Sequence, residues 1–184
     1  MRGADKLLEK VDGQALIRRQ VRVAVATGLS VWVALPPDRL LRAAAIQDLD
    51  CTLVQVGDAA LGISRSIVAG NLAIPAQLSM ILWLADLPDI TTADFQTLLA
   101  AAKSAPSAIV RATSASGKPG HPVLLPSALR AELANLSGDE GARDVLRRHA
   151  GETVFVPLTG HRALTDLDTP EDWTLWRAEN PDRS

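Results

Sequence analysis

The chain has 184 residues, and its 19 Lys and Arg side chains nearly balance its 21 Asp and Glu side chains, so the formal net charge is −2. This balance lacks the basic excess of a nucleic-acid-binding protein, and aromatic residues, at 3%, are too few for a platform that stacks on single strands. With 47% apolar residues and a single cysteine, Cys51, the chain can bury one sizeable core but cannot form an internal disulfide or a multi-cysteine metal site.

The first half of the chain alternates between helical and strand patterns. It begins with MRGADKLLEK, which lacks the apolar stretch of a signal peptide, and no later apolar run is long enough to span a bilayer. We therefore expect a cytoplasmic protein with no membrane partner. Helices are predicted at 14–27, at 39–46 with Asp38 as the N-cap, and at 64–74, and strands at 31–35, 52–56 and 80–85.

The second half continues the alternation. Thr91 and Asp94 approximate a capping box that opens a helix to about Lys103. Further strands are predicted at 108–112, 123–125 and 153–157, and helices at 127–136, at 142–149 and from Thr169, the N-cap, and Pro170 onward. Alternating helices and continuous apolar strands predict a single α/β domain with a mostly parallel sheet.

Carboxylates follow the apolar run 80–85 and recur near the C-terminus. In open parallel sheets, ligands bind beyond the carboxyl ends of the strands, so Asp86 in LADLPD is placed to reach a metal–phosphate complex. In LTDLDTPED, Asp166 or Asp168 could complete an oxygen site for Mg²⁺. The alternatives are that Asp86 caps a turn and that these acids belong to the turn before Thr169, an alternative that is stronger for Asp168 than for Asp166.

The motif GISRSIVAG places a glycine and two hydroxyl side chains, Gly62, Ser64 and Ser66, at the start of a helix. Backbone and hydroxyl donors at the positive end of a helix favour a phosphate or a polar nucleotide edge. The alternative is that Ser64 is only an N-cap.

Two loop motifs complete the candidate set. In GKPGHP, the ring of His121, whose backbone is fixed by Pro122, could orient a substrate or accept a proton near neutral pH. In GDEGAR, Asp139 and Gly141 precede Arg143, whose guanidinium could bind a phosphate through two hydrogen bonds. Each motif could instead be a solvated surface loop.

The order and spacing of these motifs resemble the MobA-like nucleotidyltransferase family. The resemblance covers essentially the whole chain and is greatest to the molybdenum cofactor cytidylyltransferases; it rests on RGADKLL, GISRSIVAG, LADLPDIT, GHPVLL, GDEGAR and TDLDTPED. It implies a single Rossmann-like, three-layer domain of the nucleotide-diphospho-sugar transferase type, with a mixed, mainly parallel sheet. It also implies that an acceptor phosphate attacks the α-phosphate of an NTP and that pyrophosphate leaves.

The resemblance assigns roles to individual residues. Lys6 corresponds to the lysine that neutralises the triphosphate, Asp86 to the Mg²⁺-binding catalytic carboxylate, and Asp166 to its metal-binding partner. The remaining residues are divided between a nucleotide side, with Gly62, Ser64 and Ser66, and an acceptor side, with His121, Pro122, Asp139, Gly141 and Arg143. CTP is the implied donor and molybdopterin the implied acceptor, with a molybdoenzyme or its chaperone as a candidate protein partner.

Two alternatives stay open. One is a transferase of the same superfamily that uses GTP or a sugar-phosphate acceptor, and the other is an inactive relative that binds a nucleotide or a pterin. The family begins with a strand and a glycine-rich loop of the type LAAGxSxRMG, and Met1-Arg2-Gly3 aligns with the end of that loop. The first strand and most of that loop are therefore expected to be missing from this chain.

Overall fold

The computed structural model describes residues 5–138 and 141–183. The α-helices of these residues are α1 (Leu16–Val25), α2 (Leu40–Ile46), α3 (Ile63–Ala73), α4 (Thr92–Ser104), α5 (Arg143–Arg148) and α6 (Pro170–Glu179). The strands are β1 (Lys10–Val11), β2 (Gln14–Ala15), β3 (Trp32–Leu35), β4 (Thr52–Gln55), β5 (Met80–Leu82), β6 (Ile109–Thr113), β7 (Pro119–Leu125) and β8 (Thr153–Pro157). None of the helices in the described ranges has both the length and the apolar character needed to cross a membrane.

The sheets have the mixed character predicted from the sequence, with both parallel and antiparallel strand pairs. β3 and β4 pair in parallel, and a larger sheet has the strand order β5-β7-β6-β8. In that sheet β7 runs antiparallel to both β5 and β6, whereas β8 is parallel to β6. No strand pairing joins the two sheets within the described residues, and the prediction of a missing first strand stays a prediction.

Local signals predicted helix ends well where the side chain itself makes the cap. Both Thr91 and Thr169 form capping boxes, with Asp94 and Asp172 as the returning carboxylates. The prediction that Asp38 caps α2 was wrong, because the N-cap position is Arg39 and no side chain there bonds the helix. The segment Ser127–Asn135, predicted as a helix, is a 3-10 helix.

Tertiary pairing determines the strand limits that the sequence missed. β7 extends back to Pro119 because its first residues pair with β6. Conversely, the apolar run 80–85 leaves the sheet after Leu82, opposite Val123. The strand predicted at 80–85 is therefore limited to Met80–Leu82, and the run is only half-buried beyond Met80.

The core has three parts, two of which cover opposite faces of the larger sheet. On one face, strand residues pack against α4, with Val110, Ala112 and Val156 beside Phe95 and Leu98. On the other face, Ile109, Val123 and Leu125 pack against α5 residues Val145 and Leu146. The third cluster joins α1, α2 and α6 through Leu16, Ile17, Ile46, Trp173 and Trp176.

The buried guanidinium of Arg130 joins the 3-10 helix Ser127–Asn135 to the end of α3. Arg130 is 4% exposed. It donates five hydrogen bonds, to the side chain of Asn71 and to the carbonyl oxygens of Asn71, Ile74, Pro75 and Leu78. The turn that leads from α3 into β5 therefore depends on one charged side chain.

Candidate active site

Three charged side chains from distant parts of the chain meet at the centre of the candidate site. The Nζ atom of Lys6 donates to Oδ2 of Asp86 at 2.6 Å and also to Oδ1 of Asp168. Lys6 begins a short 3-10 helix whose N-cap is Asp5, and Arg42 of α2 holds the Asp5 carboxylate at 2.7 Å. The sequence placed Asp166, rather than Asp168, beside Asp86.

The two carboxylates keep Lys6 charged. Burial of the ammonium group lowers the pKa of Lys6, but the hydrogen bonds and charges of Asp168 and Asp86 outweigh burial and raise it above its ordinary value of 10.5. Lys6 is therefore a cation at neutral pH. Together the three groups carry a net negative charge, which leaves room for a further cation.

Asp86 has one carboxylate oxygen to spare. Its Oδ1 atom is buried and has no hydrogen-bond partner among the described residues. The described part of the chain holds no group of three or more His, Cys, Asp or Glu arranged for a metal ion. A divalent cation at Asp86 would therefore take most of its ligands from phosphate oxygens and water, which is how Mg²⁺ is usually bound.

The main chain joins the Asp86 loop to the TDLDTPED motif. The amide of Leu167 donates to the carbonyl oxygen of Asp86 at 3.2 Å. The two acidic motifs, far apart in sequence, are therefore held side by side, and this contact lies next to both Asp166 and Asp168.

The beginning of β7 lies against the segment just before that motif. A Cβ atom on Gly120 would lie 2.0 Å from the carbonyl oxygen of Ala163, so only glycine fits there. The next amide, of His121, donates to the same oxygen at 2.9 Å. The His121–Pro122 peptide bond is cis, and Pro122 itself is buried.

The imidazole of His121 lies among charges of both signs. Burial has the largest effect and lowers the pKa of His121, and the positive charge of Arg111 lowers it further. A contact with the carbonyl of Leu82 and the charges of Asp86 and Asp166 raise the pKa. The net result is a pKa below the ordinary value of 6.5. His121 is therefore neutral at pH 7. Asp86 and Asp166 both lie close enough to act on the same ring.

Arg111 is the site residue that the sequence did not reveal. It lies in β6 opposite Val123, on the sheet face that α5 covers. Its Nε atom donates to the carbonyl oxygen of Gly120 at 3.1 Å. Burial first, and then the nearby charge of Arg143, lower the pKa of Arg111. The only feature of the sequence that could have indicated Arg111 is that it is the one charged residue in the apolar strand AIVRA.

The predicted nucleotide and acceptor motifs contact each other at the start of α3. Gly62 is the N-cap, with φ of 111°, and buried Ser64 donates from its hydroxyl and its amide to the carbonyl oxygen of Gly138. A Cβ atom on Gly141 would lie 3.3 Å from Ile63. The hydroxyl and amide of Ser64 are thus already used in hydrogen bonds within the protein. Ser66 is half-buried, and Asp139 lies outside the described residues.

The comparison with protein families identifies the chain. Residues 1–154 match the family model described as the MobA-like NTP transferase domain. The chain belongs to this family. It is accordingly a nucleotidyltransferase by family, and the Lys6 cluster lies within the matched residues except for Asp168. No curated protein was found to match the sequence.

Solved structures share the fold of this MobA-like chain at low sequence identity. Rv0371c of Mycobacterium tuberculosis in complex with manganese is 21% identical, with a TM-score of 0.78 over 92% of this chain and 89% of that one. A CMP:2-keto-3-deoxy-manno-octonic acid synthetase complexed with CTP is 16% identical, with a TM-score of 0.75 over 96% and 91%. Molybdopterin-guanine dinucleotide biosynthesis protein A of Archaeoglobus fulgidus is 15% identical, with a TM-score of 0.68 over 98% and 91%.

The lowered pKa of His121 predicts a loss of stability in mild acid for this MobA-like domain. In the unfolded chain, His121 binds a proton as the pH falls below about 6.5, whereas in the folded protein the ring binds it only at a lower pH. The His121 contribution is therefore complete above pH 6.5 and is lost as the pH falls toward the folded pKa. Urea unfolding at pH 7.5 and pH 5.0 measures this loss. The free energy of unfolding should differ less between the two pH values in His121→Asn than in wild type. An equal difference in the two proteins would contradict the prediction.

Proposed function

We propose that the protein is a metal-dependent cytidylyltransferase that transfers CMP from CTP to the terminal phosphate of molybdopterin. The observation that carries this proposal is the Lys6–Asp86–Asp168 cluster, in which an ammonium group lies beside a carboxylate whose buried Oδ1 atom has no partner among the described residues. Nucleotidyl transfer needs positioned charge more than an unusual nucleophile, and this cluster supplies both signs.

Lys6 is the group that would bind the triphosphate. Asp168, one of its two partners, has a side chain that is 60% exposed, so water can replace Lys6 there. Lys6 can then turn toward the β- and γ-phosphates while Asp86 keeps its place. Mg²⁺, held by Asp86 with Asp166 or Asp168, would add positive charge that stabilises the leaving pyrophosphate.

The acceptor side supplies positive charge from arginine side chains. Arg111 and Arg143 lie near each other, and His121, which lies near Arg111, is neutral at pH 7. A phosphate monoester bound there carries its own nucleophilic oxygen. That oxygen forms the new bond to the α-phosphorus, and the bond from the α-phosphorus to the bridging oxygen breaks, so pyrophosphate leaves with the electron pair and no protein base is needed.

The choice of CTP rests on the resemblance of the motifs to the cytidylyltransferase branch, and a fold neighbour crystallised with CTP supports it. Another neighbour is named for guanine dinucleotide synthesis, so GTP is the alternative that a test must separate. The acceptor is proposed on the same resemblance. The product would pass to a molybdoenzyme or its chaperone.

Calorimetric titration with CTP, GTP, ATP and UTP, each with Mg²⁺ and again with EDTA, tests the nucleotide assignment. We expect CTP to bind most tightly and only when Mg²⁺ is present. Tighter binding of GTP would replace the cytidylyl assignment with the guanylyl alternative. Binding that persists unchanged in EDTA would contradict the role given to Asp86, and no binding of any NTP would contradict the enzyme proposal for this chain.

A further inference from the structure

The segment that follows Asp86 is held in place by side chains from two other parts of the chain. Gln20 of α1, which is 1% exposed, donates to the carbonyl oxygen of Leu87. Arg19 donates to the carbonyl oxygen of Ile90 at 3.4 Å. The carbonyl groups on both sides of Pro88-Asp89 are therefore fixed from α1, and the loop has few ways to move.

The third contact comes from Arg183, in the short 3-10 helix Pro181–Arg183 after α6. Its Nη1 atom donates to Oδ1 of Asp89 at 2.7 Å, and its Nη2 atom to the carbonyl oxygen of Pro88 at 2.9 Å. The guanidinium lies 4.7 Å from the ring centroid of Trp176. The indole of Trp176, in turn, donates to Oδ1 of Asp89 at 3.1 Å, so the aromatic ring orients the arginine and its target together.

The same arginine also holds the segment that carries Lys6. Its Nε atom donates to Oδ1 of Asp12 at 3.1 Å, and its carbonyl oxygen accepts from the Asp12 amide at 2.9 Å. Asp12 lies at the turn of the β1–β2 hairpin, with φ of 54°, only a few residues after the 3-10 helix Lys6–Leu8. The second oxygen of Asp12 accepts from Arg19 at 2.5 Å.

We infer that Arg183 is a positioning residue that fixes the Lys6 segment and the Asp86 loop relative to each other. The inference rests on the proposed function, because it matters to catalysis only if Lys6 and Asp86 bind a metal–nucleotide complex. The physical reason is that one planar guanidinium with three donor directions bonds both segments at once. Without it, each segment would still be attached to the core, but the separation between the ammonium group and the carboxylate would be less well defined.

Arg18 offers a matched control. Its guanidinium donates to both oxygens of Asp48, at 2.6 and 2.8 Å, and to the carbonyl oxygen of Ala45 at 2.9 Å. It thus binds a carboxylate and a carbonyl as Arg183 does, but these partners lie outside both the Asp86 loop and the Lys6 segment. Arg18→Ala therefore removes a comparable set of hydrogen bonds at a different place, beside Ala45 and Asp48.

The test compares wild type with Arg183→Ala, Arg183→Lys and Arg18→Ala, at a temperature where each variant is fully folded. The first readout is amide hydrogen exchange without ligand. We expect faster exchange in Arg183→Ala, confined to peptides covering 84–91 and 9–15, and unchanged exchange there in Arg18→Ala. The second readout is the Kd of Mn²⁺ with CTP. We expect about a tenfold increase in Arg183→Ala, as for outer-sphere partners of metal ligands, a smaller increase in Arg183→Lys and none in Arg18→Ala.

The outcomes separate the two proposals. If wild type binds no Mn²⁺ with CTP, the proposed function fails, and exchange alone decides whether Arg183 holds the two segments. If wild type binds but Arg183→Ala binds equally well, or if Arg18→Ala weakens binding to the same extent, the positioning role is overturned. Unchanged exchange at 84–91 in Arg183→Ala overturns it regardless of binding.

Discussion

Asp86→Asn should greatly weaken metal-dependent nucleotide binding and leave the protein folded. The substitution removes the negative charge that attracts a divalent cation. It also replaces one of the two carboxylate oxygens, of which Oδ1 is buried and unpartnered among the described residues, with an amide nitrogen that cannot ligate a metal. We expect the affinity for CTP with Mg²⁺ to fall by roughly 100-fold, at or above the upper end of the loss seen for outer-sphere partners. Calorimetry measures the affinity, and circular dichroism confirms the fold.

Two neighbouring acids provide the controls for Asp86→Asn. Asp168 contacts Lys6 directly, whereas Asp166 acts on His121 from nearby. Comparing Asp166→Asn with Asp168→Asn therefore identifies the second carboxylate of the site, since only the true partner should weaken Mg²⁺-dependent binding strongly. Undiminished Mg²⁺-dependent binding in Asp86→Asn would contradict the metal assignment whichever partner is found.

Arg130→Met should cause the largest loss of stability among the charged residues discussed. The variant keeps much of the side-chain volume but removes five hydrogen bonds, which leaves the carbonyl oxygens of Asn71, Ile74, Pro75 and Leu78 without this donor. The two buried acceptors among the five, the side-chain and main-chain oxygens of Asn71, are then left unpaired. Since each unpaired buried acceptor costs about 1–3 kcal/mol, we expect a loss of about 4 kcal/mol. In a chain of this size that corresponds to a fall in Tm of roughly 10 °C.

Arg148→Met is the matched control for Arg130→Met. Arg148 is exposed and pairs with one carboxylate, Glu132, at 2.6 Å, so its loss should change the free energy of unfolding by less than about 1 kcal/mol. Urea unfolding of both variants makes the comparison. If Arg130→Met and Arg148→Met were equally stable, the guanidinium of Arg130 would not be what anchors the turn after α3.

The sequence predicted the parts of the fold that local chemistry determines. Thr91 and Thr169 cap their helices through side chains three residues from their partners, so spacing alone was sufficient. The limits of β5 and β7 depend on pairing between distant segments, and no local pattern reports that pairing. The buried residues of the 3-10 helix Ser127–Asn135, Arg130 and Leu133, are three positions apart, a spacing that occurs in both helix types, so the sequence does not separate a 3-10 helix from an α-helix there.

The candidate site was predicted as a set of motifs but not as an arrangement. Motif order pointed to Lys6 and Asp86, and the structure joins them across 80 positions. The motifs and the family resemblance favoured Asp166 over Asp168 as the partner of Asp86. The fold, however, brings Asp168 to Lys6 across 162 positions, a contact that no local pattern reports. Arg111 and Arg183 were missed because their roles come entirely from contacts with distant segments.

Release of pyrophosphate is the measurement that tests the central claim most directly. The protein would be incubated with Mg²⁺, molybdopterin and each NTP in turn, and pyrophosphate would be quantified with a coupled phosphate assay, with Asp86→Asn as the inactive control. The account predicts pyrophosphate from CTP only, dependent on molybdopterin and absent in Asp86→Asn. Pyrophosphate formed preferentially from GTP, or none formed from any NTP while CTP still binds, would contradict it.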